Sequence, residues 1–230
     1  MKTREWLAAD VRRMKASPIA LQRPILVLAG WRSPRTLAYV LMRRLRSLTG
    51  APPESFAWLS YPYGSDIMPL ADRAVLLAKS RLSPNGEQVD VVAVSMGGLV
   101  ARTAALPDRE HRLNIARLFT LGTPHRGARL AEFVRIDAAS RCMMPGSEFL
   151  AKLDAALEHA DFELFPYAAT GDWLVGATNT SPPGVDPIWF DGPPLLAHQL
   201  ITHHMGIIVD IARRLRGEDP IAHASPVPRD

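Results

Sequence analysis

The sequence predicts an α/β fold with a mostly parallel central sheet and helices on both faces. A continuous apolar run over residues 25–29, closed by Gly30, is typical of a strand buried on both of its faces. A second such run, over residues 89–94, is rich in β-branched side chains and leads directly into a helical pattern over 99–106. Strand-like runs and helical patterns then alternate along the chain, which is the order of crossover-connected parallel strands.

The other elements follow from the same two periodicities. Leu7, Val11 and Met14 recur at helical spacing and predict an amphipathic helix before the first strand, which could pack on the domain or lie on a membrane surface. The remaining predicted elements are a helix over 36–48, a strand over 56–59, a helix over 69–82, a strand over 115–121, a helix over 147–159, strands over 164–170 and 187–190, and a helix over 205–215.

The length of 230 residues is enough for one sizeable core, so residues 1–216 are predicted to form a single domain. Residues 217–230 contain three prolines and predict a flexible tail. Apolar residues at helical spacing between 135 and 161 could form a small cap over a site. Packing against the core explains the same stripe and is the favoured interpretation.

The composition excludes several classes of protein. Cys142 is the one cysteine, so no intramolecular disulfide can form, and neither a signal peptide nor an apolar run long enough to cross a membrane is present. We therefore expect a cytoplasmic protein, with peripheral membrane contact left open. The net charge of +4 comes from small arginine clusters without interleaved aromatic residues, which does not favour nucleic-acid binding. No histidine pair has the helical spacing of a metal site, and no cofactor is implied.

Ser95 is the residue that points most directly to chemistry. It lies between the predicted strand 89–94 and the predicted helix 99–106, with Ala93 two residues before it and Gly97 two residues after it. A nucleophile elbow has this arrangement, because its tight turn leaves no room for large side chains at those two positions. A serine that merely ends a strand is the alternative interpretation.

The same turn predicts where an oxyanion would bind. The N–H of Met96, at the start of the helix, is one expected donor. The second should come from the loop after the first strand, where Trp31 follows Gly30. The sequence therefore predicts Ser95 as nucleophile, with Met96 and Trp31 forming an oxyanion hole.

Two segments of the chain resemble lipase-like α/β hydrolases, a family that includes bacterial triacylglycerol lipases and lipases related to GPI inositol deacylases. The segments are 91–102, around the elbow, and 118–127, which contains Gly-Thr-Pro-His-x-Gly. The resemblance implies an α/β-hydrolase fold and a Ser-His-Asp triad that needs no cofactor. Two departures are Ala93 in place of the commoner glycine, and Trp31 where many relatives carry His-Gly.

A catalytic serine needs a histidine base, which in this fold comes last of the three triad residues along the chain. His204 is the predicted base, because it precedes Gly206 and an apolar helix in a pattern that resembles the family's His-x-Gly-Leu-Leu. His203 is the close alternative. His198 and His125 are interpreted as loop or supporting histidines that hydrogen-bond to the backbone.

Asp172 is the predicted acid. It follows a predicted strand, and its surroundings resemble the family's Asp-x-x-Val stretch. Asp186 and Asp191 occur in the right order as well, but each precedes a residue that explains it by ordinary turn chemistry, Pro187 and Gly192.

The predicted function is hydrolysis of a carboxylic ester, with a small acyl ester or a lipid as substrate. Acyl transfer to an alcohol would use the same triad. A protein of this fold that binds a ligand without catalysis is the alternative from another class. The sequence does not distinguish a lipase from an esterase, a thioesterase or an amidase, and it does not indicate the oligomeric state.

Overall fold

The computed structural model describes residues 2–64 and 66–226. The helices are α1 (Arg4–Ala16), α2 (Leu37–Thr49), α3 (Ile67–Arg81), α4 (Met96–Ala104), α5 (Arg129–Phe133), α6 (Ala138–Cys142), α7 (Glu148–Leu157), α8 (Ala197–Leu200) and α9 (Met205–Leu215). The strands are β1 (Ile25–Leu28), β2 (Phe56–Leu59), β3 (Val89–Val94), β4 (Ile115–Leu121), β5 (Glu163–Ala169) and β6 (Ile188–Phe190). Short 3-10 segments cover Pro53–Ser55, Ala177–Thr180 and Ile201–His203.

The strands form one sheet in the order β2-β1-β3-β4-β5-β6, and every neighbouring pair is parallel. The predicted fold class is confirmed. The chain places β2 on one side of β1 and β3 on the other, so the strand order reverses between β1 and β3. A crevice forms outside the carboxyl ends of the strands at such a reversal, and this is the end at which Ser95 follows β3.

Helices cover both faces of the sheet. Along β1, Ile25 and Val27 join the apolar cluster that contains residues of α2 and α9, whereas Leu26 and Leu28 join the cluster that contains residues of α3 and α4. All four residues of β1 are fully buried, which is why the strand has a continuous apolar run rather than an alternating one.

Local signals set several helix ends. Asp66 caps α3 by accepting the Met68 N–H at 3.1 Å, and Ser147 caps α7 by accepting the Leu150 N–H at 3.3 Å. Helix α2 ends at Gly50, whose φ of +69° suits glycine. These ends lie close to the predicted ones, whereas α5 and α6 were not predicted because five residues carry too little periodicity.

The segment over 135–161 contains α6 and α7. Leu150 and Leu153 of α7 are buried in the same apolar cluster as residues of α3 and α4. The preceding stretch leaves Phe133 and Ile136 exposed.

The C-terminal segment differs from the predicted free tail as far as it is described. Asp210 of α9 is fully buried and accepts the backbone N–H groups of Ile221 at 2.6 Å and Ala222 at 3.1 Å. Ser225 donates its backbone N–H to the Pro187 carbonyl at 3.1 Å. A buried carboxylate needs hydrogen-bond donors, and these two bonds hold residues 221–222 against the domain. Residues 227–230 of the predicted tail lie outside the described residues.

Over residues 2–64 and 66–226, none of the helices has the length and apolar character that crossing a membrane would require.

Candidate active site

Ser95 forms a strained turn between β3 and α4. Its φ of +52° and ψ of −126° lie in a region that non-glycine residues rarely adopt, and its N–H donates to the Leu121 carbonyl at 2.8 Å. Strain of this kind costs about 1–3 kcal/mol and is concentrated at functional sites. The strand, the turn and the helix therefore present the serine at the carboxyl end of the sheet, as the sequence predicts.

Close packing explains the small residues after Ser95. A Cβ atom on Gly97 would lie 2.6 Å from the carbonyl oxygen of Ala29, so a larger residue would displace β1. A Cβ atom on Gly98 would collide with the side chain of Thr123. Thr123 in turn donates its hydroxyl to the Ser95 carbonyl at 2.7 Å, which ties the segment after β4 to the elbow.

A histidine and an aspartate complete a hydrogen-bonded chain with the serine, and the histidine is His198. Its Nε2 lies 3.1 Å from Ser95 Oγ, and its Nδ1 lies 2.8 Å from Asp172 Oδ2. The other carboxylate oxygen of Asp172 accepts the Val175 N–H at 3.1 Å. Since an ionised carboxylate can only accept, Nδ1 carries the proton and Nε2 is free to accept one from the serine.

The structure corrects the prediction of His204. This residue caps α9, where its Nδ1 accepts the Ile207 N–H at 3.3 Å, and its ring packs edge-on against Phe190. Burial lowers its pKa below the ordinary value, although Asp191 nearby opposes the shift. In the described part of the chain, His204 forms no hydrogen bond with Ser95. The alternative His203 is also excluded by position, because its ring contacts the hydroxyl of Thr202 instead.

Among the three predicted candidates for the acid, the structure brings Asp172 to the histidine. Asp172 is 2% exposed, and it follows β5 on a turn, as the sequence predicts. Asp186 and Asp191 are exposed. Trp173 directly follows Asp172 and donates its indole N–H to the Leu195 carbonyl at 2.8 Å. This bond connects the turn that contains Asp172 to the segment that carries His198.

Sequence reasoning missed His198 because the loop between β6 and α9 contains three histidines, and a family pattern favoured the one beside the helix. The signal for His198 was its place shortly after two prolines, Pro193 and Pro194, and before the last helix. That signal is weak without knowledge of the loop's path.

The two predicted oxyanion donors flank Ser95. Met96 is the first residue of α4, so its N–H has no acceptor inside the helix. A Cβ atom on Gly30 would lie 3.1 Å from Ser95 Cβ, so the loop after β1 passes directly beside the serine. Across residues 2–64 and 66–226, the N–H of Trp31 donates to no backbone group. Both donors remain predictions.

His125, which follows β4, is fully buried. Its Nδ1 lies 3.0 Å from the guanidinium of Arg102 and its Nε2 lies 3.0 Å from Thr120 Oγ1. Since the guanidinium can only donate, Nδ1 accepts and Nε2–H donates to the threonine. Burial, followed by the positive charge of Arg102, places the pKa of His125 well below its ordinary value. His125 is therefore neutral, and side chains satisfy it rather than the predicted backbone groups.

This cluster connects α4, the helix after Ser95, to α7. Arg102 on α4 is almost fully buried and forms an ion pair with Asp154 on α7 at 2.9 Å. Removing one member of a buried pair leaves the other charge without a partner, which costs more than the pair contributes.

We expect Asp154→Ala to lower the free energy of unfolding by about 2–3 kcal/mol, somewhat less than for a fully buried pair because Asp154 is itself partly exposed. Urea unfolding followed by circular dichroism would measure the change. Asp108→Ala is the matched control, because it breaks the exposed ion pair between Asp108 and Lys152, and its unfolding midpoint should stay at the wild-type value. Equal midpoints for the two variants would contradict the role given to Arg102.

The part of the chain that the structure describes contains no group of three His, Cys, Asp or Glu side chains with the geometry of a metal site.

Comparison with known proteins gives one family match within the chain. The family model described as a PGAP1-like alpha/beta domain matches residues 67–136, which include α3, the elbow and the Gly-Thr-Pro-His stretch. A search of curated protein sequences found no significant match.

Solved structures extend the likeness over most of the chain. The propeptide form of the Bacillus licheniformis lipase BlEst2 superposes with a TM-score of 0.66 at 15% identity, over 93% of this chain and 54% of that one. A Listeria innocua gene product superposes with a TM-score of 0.61 at 13% identity, over 87% of this chain and 96% of that one. Aspergillus fumigatus lipase B superposes with a TM-score of 0.53 at 19% identity, over 67% of this chain and 39% of that one.

The chain has an α/β-hydrolase fold. The predicted resemblance to lipase-like α/β hydrolases is confirmed by the family match together with these superpositions. This chain spans 54% of the propeptide form of BlEst2 and 39% of the fungal lipase.

Proposed function

We propose that this protein is a serine hydrolase that cleaves carboxylic esters, with Ser95 as nucleophile, His198 as base and Asp172 as the acid that orients the base. The observation that carries the proposal is the unbroken chain of hydrogen bonds from Ser95 Oγ through both ring nitrogens of His198 to Asp172. The strained conformation of Ser95 and the lipase-like neighbours support it.

In the proposed reaction, Ser95 Oγ attacks the acyl carbonyl while His198 Nε2 takes the hydroxyl proton. The carbonyl oxygen becomes an oxyanion that accepts hydrogen bonds from the N–H groups of Met96 and Trp31. When the tetrahedral intermediate collapses, His198 gives the proton to the departing alcohol. The acyl group stays bonded to Ser95 Oγ as an acyl-enzyme. Water, deprotonated by His198, then attacks the acyl carbonyl, and the acid product leaves as Ser95 regains its proton.

The test is covalent labelling with an alkyl fluorophosphonate, read by intact mass. We expect the wild-type protein to gain one adduct and Ser95→Ala to gain none, because only a serine activated by a neighbouring base reacts rapidly. Hydrolysis of p-nitrophenyl acetate, butyrate, octanoate and dodecanoate would follow, and the relative rates would show which acyl length the site prefers.

Ser60→Ala is the matched control for the labelling, because the hydroxyl of Ser60 contacts no hydrogen-bond partner in the described structure and has no histidine to activate it. This variant should be labelled at the wild-type rate. Folded wild-type protein that gains no adduct and hydrolyses no ester would overturn the proposal and favour a ligand-binding protein of the same fold.

A further inference from the structure

Asp137 connects the predicted oxyanion loop to a different part of the chain. It lies at the start of α6, about a hundred residues after the loop, and one of its oxygens, Oδ2, accepts two hydrogen bonds from that loop. The indole N–H of Trp31 donates at 3.1 Å, and the guanidinium of Arg32 donates at 3.3 Å. Trp31 directly follows Gly30, the residue that packs on Ser95, and Arg32 follows Trp31.

The other oxygen of Asp137 has a separate task. Oδ1 accepts the Ser140 N–H at 2.8 Å, and the Ser140 hydroxyl lies 3.1 Å from the Asp137 N–H, so the two residues form a capping box on α6. The capping box fixes the rotamer of the carboxylate and is complete without Oδ2. The bonds to the loop are therefore an addition to the cap, not part of it.

The loop needs an external support. Arg32 has a φ of +49°, which is uncommon for a residue with a side chain and persists only where the surroundings hold it. The guanidinium of Arg32 also lies over the ring of Trp31, 5.1 Å from its centre, so the two side chains that reach Asp137 stabilise each other.

The carboxylate of Asp137 keeps its charge although only 9% of the residue is exposed. Burial alone would raise its pKa, but hydrogen bonds from Ser140 and Trp31 and the charge of Arg32 bring the pKa below the ordinary value. An ionised acceptor forms stronger hydrogen bonds than a neutral one, which suits a group that holds a strained loop.

We propose that Asp137 is a positioning residue, which holds the loop 30–33 so that the Trp31 N–H faces the oxyanion formed at Ser95. This inference rests on the proposed function. Oxyanion donors act only within a narrow range of distance. If the loop were released from Asp137, the transition state would therefore be stabilised less, whereas binding of the ester would change little.

The variant that tests this is Asp137→Asn. Asparagine is as good a helix cap as aspartate, so its Oδ1 can keep the bond to the Ser140 N–H. Its NH₂ group then faces the donors of Trp31 and Arg32, and neither can bond to it. We expect kcat for p-nitrophenyl butyrate to fall about 10- to 100-fold while KM changes less than about threefold, since removing a whole oxyanion donor costs about 10²- to 10³-fold.

Trp31→Phe provides a second route to the same change, because it removes the indole N–H and keeps an aromatic ring. We expect a fall in kcat no larger than that of Asp137→Asn, and the double variant should be no slower than Asp137→Asn alone, because that change already removes the Trp31 bond together with the Arg32 bond. Asp66→Asn is the matched control, since it makes the same chemical change at the cap of α3 and should leave kcat unaltered.

The outcomes separate this inference from the proposed function. If the wild-type protein reacts with the fluorophosphonate and hydrolyses esters, but Asp137→Asn changes only the melting temperature or KM, Asp137 is a helix cap and the inference is overturned while the proposed function stands. If both Asp137→Asn and Trp31→Phe keep the wild-type kcat, the inference is overturned even when one of them is poorly folded. Failure of the wild-type protein itself to react overturns both.

Discussion

His198→Ala is expected to lower kcat for p-nitrophenyl butyrate by about 10⁵- to 10⁶-fold, because without its base the serine keeps its proton and the remaining groups can only bind the ester. The 3.1 Å contact between Nε2 and Ser95 Oγ would be lost, whereas the backbone of α8 has no reason to move. Steady-state hydrolysis and the rate of fluorophosphonate labelling would both report the loss.

His204→Ala is the matched control for this prediction, because the two histidines lie six residues apart and His204 was the base predicted from the sequence. Loss of the cap on α9 should cost about 0.5–2 kcal/mol of stability, and kcat should remain within a few-fold of the wild-type value. If His204→Ala abolished activity in a folded protein and His198→Ala did not, the base would be His204 and the described loop geometry would not be the active one.

Asp172→Asn is expected to lower kcat about 10⁴-fold with little change in the fold. Asparagine can keep its oxygen on the Val175 N–H, which places its NH₂ group against His198 Nδ1. The ring must then accept at Nδ1 and carry its proton on Nε2, the nitrogen that faces Ser95. A base protonated at that nitrogen cannot take the proton of the serine.

The measurement for this prediction is kcat at saturating p-nitrophenyl butyrate, with the melting temperature recorded alongside. Asp191→Asn serves as the control because Asp191 was an alternative acid and is exposed. It should keep wild-type kcat. A folded Asp172→Asn variant with kcat within tenfold of the wild-type value would show that the carboxylate does not set the tautomer of the base.

Much of the fold could be predicted because it depends on local patterns. A run of apolar residues such as 25–29 predicts a strand buried on both faces, whichever strands it pairs with. Apolar residues at helical spacing predict which face of each helix is buried. The elbow could be predicted for the same reason, because its strained turn imposes small residues at Ala93 and Gly97, next to Ser95 in the chain. Short helices such as α5 and α6 have too few residues for a period to appear.

The irregular segments could not be predicted in this way, because their paths depend on contacts with residues far along the chain. The segment that carries His198 is connected to the turn that contains Asp172 by the hydrogen bond from Trp173 to Leu195. These two residues are 22 positions apart in the sequence. The C-terminal segment is held by the buried carboxylate of Asp210, which no local pattern identifies as an acceptor for residues 221–222.

The sequence by itself therefore determined the parallel α/β architecture and the position of Ser95, because both follow from neighbours within one strand, one turn and one helix. Only the tertiary structure decided which histidine meets Ser95 and which carboxylate accepts the hydrogen bonds of Trp31 and Arg32. Three histidines lie between β6 and α9, and Asp137 is about a hundred residues from Trp31. A loop residue is selected by the direction in which its side chain projects, and long-range packing sets that direction.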